Sequence, residues 1–174
     1  FDHDNYYIGF GIDFAMGKER GDFSAITVVA RNKETGVVYV VDSYVERVHP
    51  DKFLDVIIEH VKKWQPDVIA VESQHAQEFF SFHLKQRLTA IGYPAHTRVK
   101  EVKQKTRKEL RIEAMLPDIQ AGKIQFCTKH YRLLEQFELY GTNSHDDACD
   151  SMEMAVSAVK QSIPVELQDK PYWL

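Results

Sequence analysis

One stretch of the chain decides the fold, and it has the sequence IGFGIDF at residues 8–14. Large apolar side chains occupy its even positions, whereas Gly9, Gly11 and Asp13 occupy the odd ones. This period of two predicts a β-strand whose even face is buried in a core and whose odd face carries Asp13. Because aspartate is uncommon inside strands, a functional role for Asp13 is favoured over an exposed strand aspartate.

The residues after this strand predict an antiparallel meander of three strands. A polar loop at residues 17–22 leads to an apolar run at residues 25–30, and a turn at residues 32–36 leads to a third strand at residues 37–44. Short turns of this kind join strands that are neighbours in a sheet. The first strand therefore gains an antiparallel partner.

A helix is predicted to begin at Pro50, and its apolar stripe ends at Trp64. Pro66 follows the end of this helix. A nearly continuous apolar run at residues 67–72 then predicts a central strand that is buried on both faces. Glu72 closes that strand.

The second half of the chain alternates helices and strands. In order, it predicts a helix at about residues 76–91, a short strand at 95–99, a helix at 105–115, a short strand at 123–126, a helix at 131–139 and a last helix after residue 144. A meander followed by this alternation implies an α/β fold, with a mixed central sheet and helices on both faces. The 174 residues fit a single domain, with a core at about residues 6–160 and an irregular tail at 161–174.

Composition narrows the class of protein. With 44% hydrophobic and 28% charged residues, the chain is typical of folded globular proteins, and its apolar runs are far shorter than the roughly 20 residues of a membrane helix. Cys127 and Cys149 form no C-x-x-C pair, which favours a reducing compartment. We therefore expect a cytoplasmic protein with no membrane partner. The start at Phe1 suggests a piece of a longer chain.

Acidic residues stand at three places that a mixed sheet can bring together. Asp13 lies in the first strand, Glu72 ends the fourth, and Asp146 and Asp147 open the last helix. Hard divalent cations such as Mg2+ take oxygen ligands, and a two-ion site needs several carboxylates from different elements. These acids are therefore candidate metal ligands and catalytic residues, although Glu72 alone has a second interpretation as a simple strand end.

Asp147 has the strongest structural alternative. The sequence from Ser144 to Asp147 has the form of a capping box, and acids are favoured in the first turn of a helix. Asp146 does not share the capping geometry. Asp150 lies one helical turn after Asp146, so it can either join the site or face solvent. His145 can serve as a ligand or orient a water, or it can simply be solvated.

Four motifs in order resemble a known family. The sequence carries GIDFA at residues 11–15, GDFSAI at 21–26, VIAVES at 68–73 and SHDDACD at 144–150. This set resembles the nuclease domain of the phage terminase large subunit over nearly all of residues 7–159. The resemblance implies a ribonuclease H-like fold, in which Asp13, Glu72 and Asp146 match the metal-binding acids and Asp147 adds to them. It also implies endonucleolytic cutting of concatemeric viral DNA.

The same resemblance implies cofactors and partners. Two Mg2+ or Mn2+ ions would be bound, with Asp13 bridging them, so that one activates the attacking water and the other stabilises the leaving oxygen. The partners implied are double-stranded DNA and, in the full protein, an ATPase domain, a portal and a small terminase subunit. The host cell cytoplasm would be the location. No G-x-x-x-x-G-K-[ST] loop of an ATPase occurs in this sequence.

One basic segment stands out in a chain whose net charge is -4, because residues 98–111 carry seven Lys or Arg against two Glu. The candidate DNA-binding residues are Lys100, Lys103, Lys105, Arg107, Lys108 and Arg111. These charges can contact phosphates, and the resemblance matches Lys105 and Arg111 with basic residues of the family. A solvated helix face is the alternative. Since no base-reading module is found, we expect little sequence selectivity.

Two other functions stay open. A Holliday-junction resolvase would share the fold and the number of acids, and it would differ in the DNA substrate. A catalytically silent ribonuclease H-like module that binds DNA or a portal protein would usually have lost an acid. Asp13, Glu72 and Asp146 are all present here.

Overall fold

The computed structural model of the chain describes residues 2–14, 23–72, 77–103, 105–142 and 145–161. Within these ranges one sheet has the strand order β5-β4-β1-β2-β3-β6. Its strands are β1 Tyr6–Asp13, β2 Ser24–Asn32, β3 Val38–Glu46, β4 Val68–Glu72, β5 Val99–Val102 and β6 Ile124–Gln125. The polar loop predicted at residues 17–22 and the tail from residue 162 onward lie outside the described residues.

The pairing of the strands confirms the predicted mixed sheet. Strands β1, β2 and β3 form the antiparallel meander, with Asp13 opposite Ala25. Strand β4 runs parallel to β1, with Val71 beside Ile12, and β5 runs parallel to β4. Because β1 and β4 are parallel neighbours, Asp13 and Glu72 end at the same edge of the sheet.

Helices cover both faces of this sheet. They are α1 Pro50–Trp64, α2 Gln77–Ala90, α3 Ala95–Arg98, α4 Lys108–Glu113, α5 Leu116–Gln120, α6 Tyr131–Glu138 and α7 Asp147–Gln161. The even face of β1 packs in one core with residues of α1 and α2, such as Phe53 and Leu84. The other face packs with α7, through residues such as Met152 and Ala155. The α/β fold class predicted from the sequence is thereby confirmed.

Two local predictions are wrong at their boundaries. Residues 95–98 form a helical turn instead of the start of a strand, because the carbonyl of Pro94 accepts hydrogen bonds from the N–H groups of Thr97 and Arg98 at 3.2 and 3.1 Å. The helix predicted at residues 105–115 begins only at Lys108, since the residue before it has extended backbone with ψ 142°.

The odd face of β1 allows an unusually close approach of α7. Gly9 and Gly11 lie directly beneath this helix, and a Cβ at either position would collide with it. Small residues here let the helix and strand backbones approach. This close approach brings the first turn of α7 to the end of β1. Within the described ranges, none of the helices combines the length and the apolar character needed to cross a bilayer.

Candidate metal centre

Three carboxylates from separate elements meet at one end of the sheet. Asp13 ends β1, Glu72 ends β4 and Asp150 lies in the first turn of α7. Each offers one oxygen, and these three atoms all lie within 4.8 Å of one another. We call Asp13, Glu72 and Asp150 the acidic triad.

Polar contacts hold the first turn of α7 in place. The N–H of Ala148 donates to the buried Oε1 of Gln136 at 2.8 Å, which satisfies one of the donors that a helix start leaves free. The hydroxyls of Thr27 on β2 and Ser151 on α7 are 2.7 Å apart in the buried layer between helix and sheet. Asp150 lies next to Ser151 and is therefore fixed at the end of β1.

The two acids that open the last helix lie beside the triad. The helix begins at Asp147, so Asp146 stands just before its first turn. The side chain of Asp146 is 35% exposed, whereas that of Asp150 is 3% exposed. A capping box begun by Ser144 would make Asp147 the third residue of the helix, but Asp147 is its first. Ser144 itself lies outside the described residues.

Burial changes the protonation of Asp13. It is the main cause that raises the pKa of Asp13 to about 8. The ammonium of Lys108 opposes this rise, and nearby carboxylates add to it, namely Asp150, Asp147 and Glu72. Burial also raises the pKa of Asp147. Carboxylates crowded in this way are stabilised by any cation that lies among them.

Lys108 supplies one such cation. Its Nζ lies 2.9 Å from Asp146 Oδ1, 3.5 Å from Asp150 Oδ2 and 3.7 Å from Asp13 Oδ2. Burial alone would lower the pKa of Lys108, but Asp13 and Asp150 outweigh it, and the pKa is raised above its ordinary value. The neighbouring carboxylates therefore favour the charged form of Lys108.

Arg111 supplies a second cation from the next turn of α4. Its Nη2 lies 2.8 Å from Asp150 Oδ1, and its Nη1 pairs with Glu153. Ser157 donates a hydrogen bond to the other oxygen of Glu153 at 2.6 Å. The sequence-based prediction did not include Glu153. The signal that could have found it is the spacing of Asp150, Glu153 and Ser157, which places all three on one face of a helix.

The basic segment is thus divided between two environments. Lys108 and Arg111, predicted to contact DNA, lie against the carboxylates. Lys100, Lys103, Lys105 and Arg107 are exposed. Lys100 and Lys103 line a groove of about 630 Å³ between β5 and α7, whose other lining residues include Arg111. Lys100 and Lys103 therefore share a groove with Arg111, which contacts Asp150 of the triad.

His145 lies on the other side of the site. Its Nδ1 is 3.8 Å from Asp147 Oδ2, and its ring packs edge-on against Phe23, with 4.9 Å between the ring centroids. The guanidinium of Arg47 stacks on the Phe23 ring, 4.4 Å from its centroid. The Nη2 atom of Arg47 lies 3.4 Å from His145 Nε2. Phe23, Arg47 and His145 line a cavity of about 510 Å³. His145 contacts the cluster through Asp147.

The donor set of the triad fits a hard divalent cation. Mg2+ and Mn2+ prefer carboxylate oxygens, and the triad offers three from three rigid elements. Two of these carboxylates, Asp13 and Asp150, are buried and need a compensating positive charge. Asp13, Glu72 and Asp150 could therefore hold a metal ion. Asp146 joins the same cluster through Lys108, and Asp147 contributes to the raised pKa of Asp13.

The sequence also matches a family model. The model is described as Terminase Bacteriophage T7, Ribonuclease H-like domain, and it matches residues 15–124. That range includes Glu72, Lys108 and Arg111, whereas Asp13 and Asp150 lie outside it. No curated protein matches the sequence.

Solved structures share the fold at low sequence identity. The nuclease domain of the phage P22 large terminase has a TM-score of 0.63 and 16% identity, covering 91% of this chain and 83% of that one. The human cytomegalovirus terminase nuclease domain, soaked with Mn and bound to an inhibitor, has a TM-score of 0.63 and 14% identity, covering 91% and 86%. The fowlpox virus Holliday junction resolvase has a TM-score of 0.61 and 13% identity, covering 90% and 99%.

Proposed function

Since the chain belongs to the family of ribonuclease H-like domains of bacteriophage T7 terminases, we propose that it is a metal-dependent endonuclease that cuts concatemeric double-stranded viral DNA during genome packaging. The observation that carries this proposal is the acidic triad. Asp13, Glu72 and Asp150 come from three elements, and their oxygens lie within 4.8 Å of one another. A phosphodiester nuclease that uses divalent ions needs such a set of carboxylates.

The chain's own residues bind and orient the reacting groups. Two bound Mg2+ or Mn2+ ions would supply an activated water and would stabilise the leaving oxygen. Asp13 would be one of the residues that hold the ions. Glu72 and Asp150 would hold the ions together with Asp13, and Asp146 and Asp147 would add carboxylate oxygens. Arg111 keeps the carboxylate of Asp150 in one orientation.

The exposed part of the basic segment is proposed to bind the DNA backbone. Lys100, Lys103, Lys105 and Arg107 are exposed and can contact phosphates. Contacts of this type position DNA without reading its bases, so cutting should have little sequence selectivity. In a full-length protein, the further partners would be an ATPase domain, a portal and a small terminase subunit.

A plasmid-cutting assay tests the proposal. Supercoiled plasmid should be nicked or linearised with Mg2+ or Mn2+, and EDTA should stop the reaction. Asp13→Asn, Glu72→Gln and Asp150→Asn should each abolish cutting, because each removes one ligand charge from the triad. Cutting that persists in EDTA would overturn the metal mechanism.

A Holliday-junction resolvase is the second candidate, and one observation favours it. The fold of the fowlpox virus resolvase is matched over 99% of its length. The two candidates differ in substrate, because a resolvase prefers four-way junctions. Linear duplex and an immobile four-way junction of the same sequence should be compared at equal concentration. A terminase nuclease should cut linear duplex at least as fast as the junction, and a strong junction preference would favour the resolvase.

A further inference from the structure

The ammonium of Lys108 lies among the carboxylates that are proposed to bind metal. Its distances to Asp13 and Asp150 of the triad are 3.7 and 3.5 Å, and Asp146 holds it at 2.9 Å. The Lys108 side chain is 25% exposed, so one part of it remains open to solvent. A single positive charge thus compensates several carboxylates at once.

Arg111 differs from Lys108 in how it is anchored. Arg111 binds Asp150, but it also binds Glu153, which lies outside the triad and is held by Ser157. If another cation took over Asp150, Arg111 would keep its contact with Glu153. Lys108 would keep only its contact with Asp146, which lies at the exposed rim of the cluster.

A divalent ion and the Lys108 ammonium compete for the same oxygens. Mg2+ binds carboxylate oxygens at about 2.0–2.1 Å, so an ion on Asp13 and Asp150 would lie close to the position of Nζ. Two cations at such a separation repel each other, and the repulsion is strong where burial limits screening. The ammonium must therefore move outward when the ion enters.

We infer that Lys108 is an internal stand-in for the metal ion: it neutralises the triad in the metal-free protein, and it is displaced onto Asp146 at the rim when a divalent ion binds. Lys108 thereby sets the concentration of divalent ion that the site needs. It is a positioning residue of the metal site, and this inference rests on the proposed function, because it requires an ion at the triad.

Calorimetric titration of the metal-free chain with Mn2+ tests the inference without any measurement of cutting. Lys108→Met keeps the length and apolar stem of the side chain but removes the competing charge. We expect it to bind Mn2+ about tenfold more tightly than the wild type, because the repulsive charge is gone. Lys52→Met is the matched control, since Lys52 is an exposed lysine of α1 on the other face of the sheet. Its affinity should equal that of the wild type.

Lysine acetylation of the wild-type chain gives an independent readout that needs no variant at the site. The rate of acetylation at Lys108, followed by mass spectrometry, should rise several-fold when Mn2+ is added. The reagent attacks the neutral amine, and this form is more accessible once the side chain has left the carboxylates and moved toward solvent. Acetylation of Lys52 should not change. An unchanged rate at Lys108 under Mn2+ saturation would overturn the inference.

The outcomes separate this inference from the proposed function. If the wild type binds Mn2+ and Asp13→Asn does not, the triad is a metal site. If Lys108→Met then binds no more tightly than the wild type, Lys108 is not a competitor and the inference alone fails. If neither the wild type nor Lys108→Met binds Mn2+, the proposed metal site fails, and the inference fails with it.

Discussion

Gly11 and Ser151 approach so closely that a Cβ on Gly11 would lie 1.8 Å from the carbonyl oxygen of Ser151. The next nearest atom is the backbone nitrogen of Ala155 at 2.6 Å. Both atoms belong to the backbone of α7 and cannot rotate away. The absence of a side chain at Gly11 therefore sets the distance between α7 and β1, and with it the distance between Asp150 and Asp13.

Gly11→Ala should destabilise the protein by more than the roughly 1–3 kcal/mol typical of overpacked cores, because backbone must move to admit the methyl group. Chemical denaturation gives this value. Gly9→Ala is the comparison, since its Cβ would meet the Val159 side-chain methyl at 2.3 Å, and a side chain can adjust more easily than backbone. Equal stability losses in the two variants would contradict the assigned role of Gly11.

Asp13→Asn should raise the melting temperature of the metal-free protein above about pH 4, because burial, with a smaller contribution from neighbouring carboxylates, disfavours the ionised form of Asp13 in spite of Lys108. The pKa of Asp13 is about 8 in the folded state, compared with 3.8 as its ordinary value. Between these values the folded state binds a proton that the unfolded chain has lost, so the stability due to this group falls as pH rises from about 4 to 8.

The difference in melting temperature between Asp13→Asn and the wild type should therefore grow with pH across this window. Asp51→Asn serves as the control, because Asp51 is exposed in α1. A large loss of stability in Asp13→Asn at all pH values would mean that Asp13 has a structural role.

Arg111→Met should reduce the free energy of unfolding by roughly 3–5 kcal/mol, the range expected when one partner of a buried ion pair is removed. The carboxylates of Asp150 and Glu153 would both lose their shared cation. The control is Arg87→Met, which removes an exposed ion pair to Asp55 and should cost less than about 1 kcal/mol. Equal effects in a urea titration would show that the buried network contributes no special stability.

Ca2+ should bind the site and fail to support cutting. Mg2+ demands nearly octahedral ligands at about 2.0–2.1 Å, whereas Ca2+ accepts six to eight at about 2.3–2.6 Å and would misplace the attacking water. Added to a Mg2+ reaction, Ca2+ should inhibit competitively, and Mn2+ should work at least as well as Mg2+. A rate with Ca2+ equal to that with Mg2+ would contradict a mechanism that depends on precise ion geometry.

Lys105→Ala should lower cutting at limiting DNA while leaving the melting temperature unchanged, because Lys105 is exposed. Binding of duplex DNA by the wild type should be weak and should fall steeply with salt. Loss of one phosphate contact should reduce the slope of log affinity against log salt by about 1. Lys52→Ala is the control. If Lys52→Ala and Lys105→Ala changed cutting and DNA binding equally, Lys105 would not be a DNA contact.

The strand that carries Asp13 could be predicted because its signal is local. Large apolar residues alternate with small or polar ones along residues 8–14, and this pattern determines which side chains share a face of the strand. It therefore places Asp13 on the face opposite the large apolar side chains. The central position of β4 was predictable for the same reason, since a strand buried on both faces is almost wholly apolar. These predictions need no knowledge of distant residues.

The position of Asp150 beside Asp13 and Glu72 could not be predicted from the sequence alone. It depends on where α7 begins and on how the helix is rotated against β1, and both are set by tertiary contacts such as those of Gln136 and Ser151. The position of Lys108 among the carboxylates could not be predicted from the sequence for a similar reason. A basic segment has the same local pattern whether it faces solvent or buried carboxylates.

The order of elements along the chain has a consequence for folding. Helix α7 comes after all the strands, yet it packs against β1, β2 and β4 and supplies Asp150 to the triad. Contacts between segments so far apart in sequence form late, because a long loop must close before they can be made. During synthesis on the ribosome, β1 cannot make its contacts with α7 until α7 has emerged. A nascent chain therefore has no complete triad, and the ability to bind a divalent ion should appear only with the last cooperative step of folding.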